Sequence, residues 1–250
     1  MVLDAVNTFT GGTTVTGGTL LIATNGALPN GNVSITNGLL QLAPNTGLAQ
    51  ITNLSITGTG TFDVNNNHLL INYGANADPI ASIAALLATG FNSGNWNGPG
   101  GIVSTAAAAN SLSYGLGYAD SADPGNPADL SSGTIEIKYT LLGDANLDGI
   151  VNGIDFGILA ANFNKGVTGW DQGDFNYDNV VNGIDFGQLA ANFNKGASGA
   201  DFGPGPLSDP ALVAFAQANG LMADVPEPGS LLIISCTAAT ILARRRKART

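Results

Sequence analysis

Along residues 7–73, apolar and polar side chains alternate in short bursts, each closed by Gly or Asn. The bursts are Thr13–Thr16, Thr19–Ile22, Val33–Thr36, Leu39–Leu42, Leu54–Thr57, Thr61–Val64 and Leu69–Tyr73. Val, Ile and Thr at period two make strands that bury one face. The bursts come in pairs: Val15, Val33 and Ile56 open successive pairs, and Leu21, Leu40 and Phe62 sit in their second members. The step is roughly 18 to 23 residues, the size of one solenoid rung. A rung alone cannot bury its apolar face, so stacking is the natural solution and is preferred here. An ordinary antiparallel sandwich is the alternative.

Beyond the bursts the period changes. Asp78-Pro79 opens a helix, with Asp as N-cap and Pro at the first helical position. Ile80, Ile83, Ala84 and Leu87 follow the helical period and Gly90 ends it, in a position to cap the open end of the solenoid. Residues 91–130 are rich in Gly, Asn, Ser and Ala, with Trp96, Tyr114 and Tyr118 as anchors. A last strand, Thr134–Thr140, alternates cleanly. Asp209-Pro210 starts a short second helix that ends near Gly220, after a Gly203–Pro206 linker. The expected units are 1–76 (solenoid), 77–140 (capping helix, small-residue region, final strand), 141–200 (repeat pair), 201–224 (linker with helix) and 225–250 (tail).

Charge narrows the partners. Five of the eight basic residues fall within Arg244–Arg249, so residues 1–243 carry a net charge of −15. Such a surface repels phosphate backbones, which argues against nucleic acid. The chain is 44% hydrophobic and only 10% charged, so it is no disordered polyanion. Cys236, the one cysteine, lies in the tail, and no disulfide framework exists.

The chemistry sits in a repeat. GDANLDGIVNGIDFGILAANFNKG from Gly143 recurs as GDFNYDNVVNGIDFGQLAANFNKG from Gly173, 30 residues on. Each copy sets oxygen side chains at positions 1, 3, 5, 9 and 12 of a 12-residue loop. These are Asp144, Asn146, Asp148, Asn152 and Asp155, then Asp174, Asn176, Asp178, Asn182 and Asp185. The carbonyls of Ile150 and Val180 fill position 7. Calcium takes six to eight hard oxygen ligands, and this spacing wraps a loop around the ion, so two Ca2+ ions are expected. Gly149 takes the sharp turn at position 6, where the second loop has Asn179. The stripes Phe156, Leu159, Ala160, Phe163 and Phe186, Leu189, Ala190, Phe193 mark one helix after each loop, expected to pack as an antiparallel pair.

Loop and helix without an entering helix resemble the type I dockerin over about 54 residues. The resemblance implies calcium-dependent folding and docking to a cohesin-like protein domain, typically in polysaccharide-degrading assemblies. It places partner contacts at Gly153, Ile154 and Lys165, and at Gly183, Ile184 and Lys195, with two-fold related binding orientations. Dockerins often carry small hydroxyl residues at the helix start, where this chain has Gly-Ile twice. Asn7–Pro29 is similar to the autotransporter-associated β-strand repeat. That likeness implies a mainly β fold, a short right-handed parallel β-solenoid, here followed by a small α-helical calcium module and a C-terminal hydrophobic helix.

The tail joins Pro226, Glu227 and Pro228 to an apolar run, residues 229–243, and then a basic cluster. This order resembles the PEP-CTERM sorting signal, which implies an exosortase-type processing enzyme, anchoring at the inner membrane and export to the cell surface. Met1–Val6 has neither the basic nor the apolar region of a secretory leader, so the chain is expected to be part of a longer secreted protein or to have a misassigned start. Catalysis is not expected. His68 is the single histidine, Glu136 and Glu227 are far apart in sequence, and Asp63, Asp78, Asp120, Asp123 and Asp129 are scattered over turns. Two functions remain: a non-catalytic surface protein that docks through its calcium module, with any polysaccharide link indirect, or a structural or adhesive solenoid that calcium only stabilises.

Overall fold

Short strands at a regular step wind into a β-solenoid of about four turns in the computed structural model, which describes residues 1–226. Glu227, Pro228 and the apolar run 229–243 lie outside the described residues. Strands β1 (Val2–Leu3), β2 (Thr13–Val15), β3 (Thr19–Ile22), β4 (Asn32–Thr36), β5 (Leu39–Leu42), β6 (Leu48–Ile51), β7 (Asn53–Thr57), β8 (Thr61–Asp63) and β9 (His68–Asn72) form the rungs. They stack in parallel on three faces: β2-β4-β7, β1-β3-β5-β8 and β6-β9. Helix α1 (Ile80–Phe91) follows, then β10 (Ile102–Val103), which extends the second face beside β8. Gly90 lies so close under β10 that a Cβ there would stand 1.7 Å from the Ile102 carbonyl oxygen.

In-register stacking puts like on like. Val15, Ile35 and Ile56 form one column, and Leu20, Leu40 and Phe62 another. Val15 therefore stacks on Ile35, and Val33 sits two residues earlier in that strand. The second column runs through Leu20, whereas Leu21 pairs with Gln41 on the outer face. Two adjacent leucines in Thr19–Ile22 allowed either parity, and burial chose the one that seats Leu20 and Ile22 inside. The corners are polar. Asn37, Asn45 and Asn65 take φ of 58°, 60° and 57°, a left-handed conformation that Asn tolerates. Between rungs, Asn66 Nδ2 donates to Asn45 Oδ1 at 2.8 Å and Asn67 Nδ2 to the Ala43 carbonyl at 2.9 Å.

The chain then changes direction. Helix α2 (Thr105–Ala109) leads into β11 (Tyr114–Asp120) and β12 (Thr134–Leu141), which run antiparallel to each other and extend the third face through β12 on β9. After β12 come α3 (Gly153–Asn162), a 3₁₀ turn at Trp170–Gln172, α4 (Gly183–Asn192) and α5 (Pro210–Asn219). The two repeat helices do not close on each other alone. Phe215 of α5 inserts between them, its ring centroid 5.5 Å from Phe156, 5.0 Å from Phe163 and 5.6 Å from Phe186. No helix among the described residues is long and apolar enough to cross a membrane.

Candidate metal centre

Strand β12 delivers the first loop directly, since the Asp144 amide donates to the carbonyl of Leu141, the strand's last residue. Asp144 is fully buried at the base of the loop. Its Oδ2 accepts from the Gly149 amide at 3.0 Å and from the Thr140 hydroxyl. Its Oδ1 is buried and has no hydrogen-bond partner. Gly149 reaches back to Asp144 at φ +90°, a backbone geometry that glycine adopts freely.

The following positions wind by side chain to main chain. Asn146 Oδ1 accepts from the Asp148 amide (3.1 Å), Asp148 Oδ1 from Ile150 (2.8 Å) and Asn152 Oδ1 from Ile154 (2.8 Å). Each is a short-range turn of the kind Asp and Asn favour. Asp155 closes the loop from the first turn of α3, accepting from Ala145 (2.9 Å), Asn146 (3.2 Å) and Asn152 (2.8 Å). With Asn152 as N-cap it completes a capping box.

The second loop repeats this pattern. Asp174 accepts from the Asn179 amide at 2.9 Å, Asn176 from Asp178 at 2.9 Å, Asp178 from Val180 at 2.9 Å and Asn182 from Ile184 at 2.8 Å. Asp185 accepts from Phe175 and Asn182, both at 2.9 Å. Asn179 stands at φ +68° where the first loop has glycine. Each loop leans on the other repeat: the Val151 amide donates to Lys195 O at 3.0 Å, and the Asn164 amide to Val181 O at 2.9 Å.

Negative charge is concentrated, with Lys138 near the first loop as a partial counter-charge. Burial pushes Asp144 and Asp174 up to about 6, and Asp155 and Asp185 up to about 7. Neighbouring carboxylates add to the rise. A cation would remove that penalty. The donor set fits a hard cation: oxygen only, with one buried, unpartnered oxygen in the first loop. No three His, Cys, Asp or Glu side chains among the described residues form a ready-made metal cluster. Asp155 and Asp185 are turned into their helix caps, each with main-chain N–H groups on both oxygens, and a carboxylate's roughly four acceptor directions are not exhausted by these.

Position 4 of each loop carries an anchor that the ligand pattern does not reveal. Leu147 and Tyr177 both take φ +58° and turn their side chains towards the β-body. Leu147 is buried beside Gly117 of β11, and its carbonyl takes the ammonium of Lys138. Tyr177 donates to the Leu116 carbonyl and packs among Phe91, Trp96, Tyr118 and Trp170. Burial also pushes its phenol up, well above the ordinary value.

The helix-start residues are not equally open. Ile154 and Ile184 are 61% and 59% exposed, and Lys165 and Lys195 lie on the surface. Gly153 has nothing within 4 Å of a notional Cβ, whereas at Gly183 that position is 2.8 Å from Leu221. His68 meets Glu136 across β9 and β12, Nε2 to Oε1 at 2.6 Å. Set against known protein families, curated proteins and solved structures, the chain matches none.

Proposed function

We propose that Asp144–Asp155 and Asp174–Asp185 each bind one calcium ion in a non-catalytic, exported cell-surface protein. The observation that carries this reading is the buried Asp144 carboxylate, one oxygen tied to the turn at Gly149 and the other without a partner. The repeat of the same turns around Asp174 supports a second, related site. Main-chain carbonyls of Ile150 and Val180 would complete each shell. Calorimetric titration of the chelated chain with calcium tests this. Two ions are expected at the loops, with one lost on Asp144→Asn and one on Asp174→Asn. Heat unaltered by both substitutions would refute it.

On this reading the module offers a docking face to a cohesin-like domain through Gly153, Ile154 and Lys165, and a repeat-related one through Ile184 and Lys195. The exposure of both isoleucines supports an apolar contact there. The second reading, calcium as a fold staple for a structural or adhesive solenoid, draws on a different observation. The loops are not on a tether: Tyr177, Leu147 and Trp170 seat them on β11, and Tyr114 Oη donates to Ala197 O at 3.2 Å. Capture of cohesin-like domains in calcium, abolished by chelator and by Ile154→Asp together with Ile184→Asp, separates the two; no capture under either condition leaves the staple. The dockerin-like and PEP-CTERM resemblances and the acidic body support an extracellular setting, where calcium is abundant.

A further inference from the structure

A second group of carboxylates lies outside the loops, where the β-body meets the repeat pair. β11 ends at Asp120, the turn after it carries Asp123, and the 3₁₀ turn between the repeats carries Asp171. Asp120 and Asp171 are each 1% exposed. Oδ1 of Asp120 accepts from Tyr73 Oη at 2.9 Å and from the Ala122 amide at 3.2 Å. Its Oδ2, and both oxygens of Asp171, are buried without a hydrogen-bond partner. Burial holds the Asp171 and Asp120 carboxyls above the ordinary range, and Asp123 lies near enough to the first, and Asp78 to the second, to add to the rise. Tyr118 and Tyr73 border the group, and neither supplies positive charge. Lys138 and Lys195 donate to carbonyls elsewhere, and the one ion pair among the described residues is His68–Glu136.

A fully buried carboxylate beside a half-buried one needs a counter-charge. Burial, and then Asp123, pushes Asp171 up to about 8, so a shared proton is one solution. A proton removes one of the pair's two charges and a divalent cation removes both. Nothing but hydrogen can stand at Gly169 in place of a side chain, since a Cβ there would lie 2.7 Å from Asp171 Oδ1. We propose that Asp123 and Asp171 bind a third hard divalent cation of the calcium class, fixing the turn after β11 to the linker between the two repeats. Three acidic side chains do not converge there, so main-chain carbonyls and water complete the shell.

The test is ion counting by native mass spectrometry on the full chain titrated with calcium alone. Asp171→Asn is expected to bind one ion fewer than the parent chain and to lose part of the calcium-induced rise in melting temperature. Asp123 is half-buried, so Asp123→Asn perturbs folding least, and it must lose the same ion. The readout is the ion lost with this pair and not the total, so failure of the paired loops to bind leaves the test intact. An unchanged ion count in both variants overturns the proposal. So does an Asp171→Asn chain whose stability rises equally in calcium and in chelator, which identifies the shared proton instead.

Discussion

The indole N–H of Trp170 donates to the main-chain carbonyl of Asp144 at 2.7 Å, and both residues are fully buried. The bond ties the linker between the repeats to the first residue of the first loop. Trp170 also meets Phe175 edge-on at 5.2 Å, so one side chain spans both loops. Trp170→Phe keeps much of the ring volume and leaves the Asp144 carbonyl without a donor, which costs roughly 1–3 kcal/mol. The effect should fall unevenly: calcium affinity drops at the first loop more than at the second. Site-resolved titration, with Asp174→Asn isolating the first loop, measures it. Equal losses at both loops would show that Trp170 acts only through general packing.

Without calcium the loops should make the protein prefer acid. Burial holds Asp144 and Asp174 at about 6, and Asp155 and Asp185 at about 7. An unfolded aspartate ionises near ~3.9. Between about pH 4 and 7 the chelated folded chain therefore binds more protons than the unfolded one, and its stability falls as pH rises through that window. Calcium stabilises the ionised carboxylates and cancels the fall. Melting temperature in chelator should decline from pH 5 to 8, while the shift produced by calcium grows over the same range. A calcium-induced shift that is constant with pH would mean that these carboxylates are not its ligands.

Much of this was legible in the chain, and the exceptions share a physical cause. Alternation marked seven of the solenoid strands, because each buries one face, and β12 beyond them. β6 escaped notice, since Leu48–Ile51 presents only Ala49 and Ile51 to the core. β11 was hidden by Gly115 and Gly117, which break the alternation where Trp170 crosses the strand. That reason lies more than fifty residues away in the chain. The loop spacing set out all ten candidate ligand side chains because their turns are local. Leu147 and Tyr177 were not visible as anchors, because the partners that bury them come from β11 and α1. The short helix from Pro210 was legible, but the packing role of Phe215 on it was not, for the same reason: its three aromatic neighbours belong to the repeats.

Phe215 gives a sharp test of that long-range packing. Truncation to Ala removes a half-buried ring that touches both repeat helices, which should cost about 2–3 kcal/mol, below the range for a fully buried ring. The loss should persist in saturating calcium, because Phe215 holds the helices and not the ions. Phe202, 57% exposed and outside α5, serves as the control, and its Ala variant should stay within ~0.5 kcal/mol of the parent. Urea unfolding of both variants in calcium makes the comparison. Equal midpoints would mean that α5 is not part of the cooperative unit.

Two glycines of the same region should respond oppositely to alanine. At Gly117 a Cβ would stand 2.5 Å from Leu147 Cδ2 and 2.7 Å from Trp170 Nε1, the two side chains that seat the first loop on β11. Neither is free to give way, since Leu147 is 3% exposed and Trp170 is held to Asp144. Gly117→Ala should therefore lift the loop off the sheet, costing about 1–3 kcal/mol as overpacking does, and weakening calcium binding at Asp144. Gly157 lies within α3 with nothing within 4 Å of its notional Cβ, and its φ is not positive. Alanine there gains helix propensity, about 0.5–1 kcal/mol. Thermal melts of the two variants in calcium should move in opposite directions. If Gly157→Ala also destabilised the chain, that face of α3 would be in contact with something.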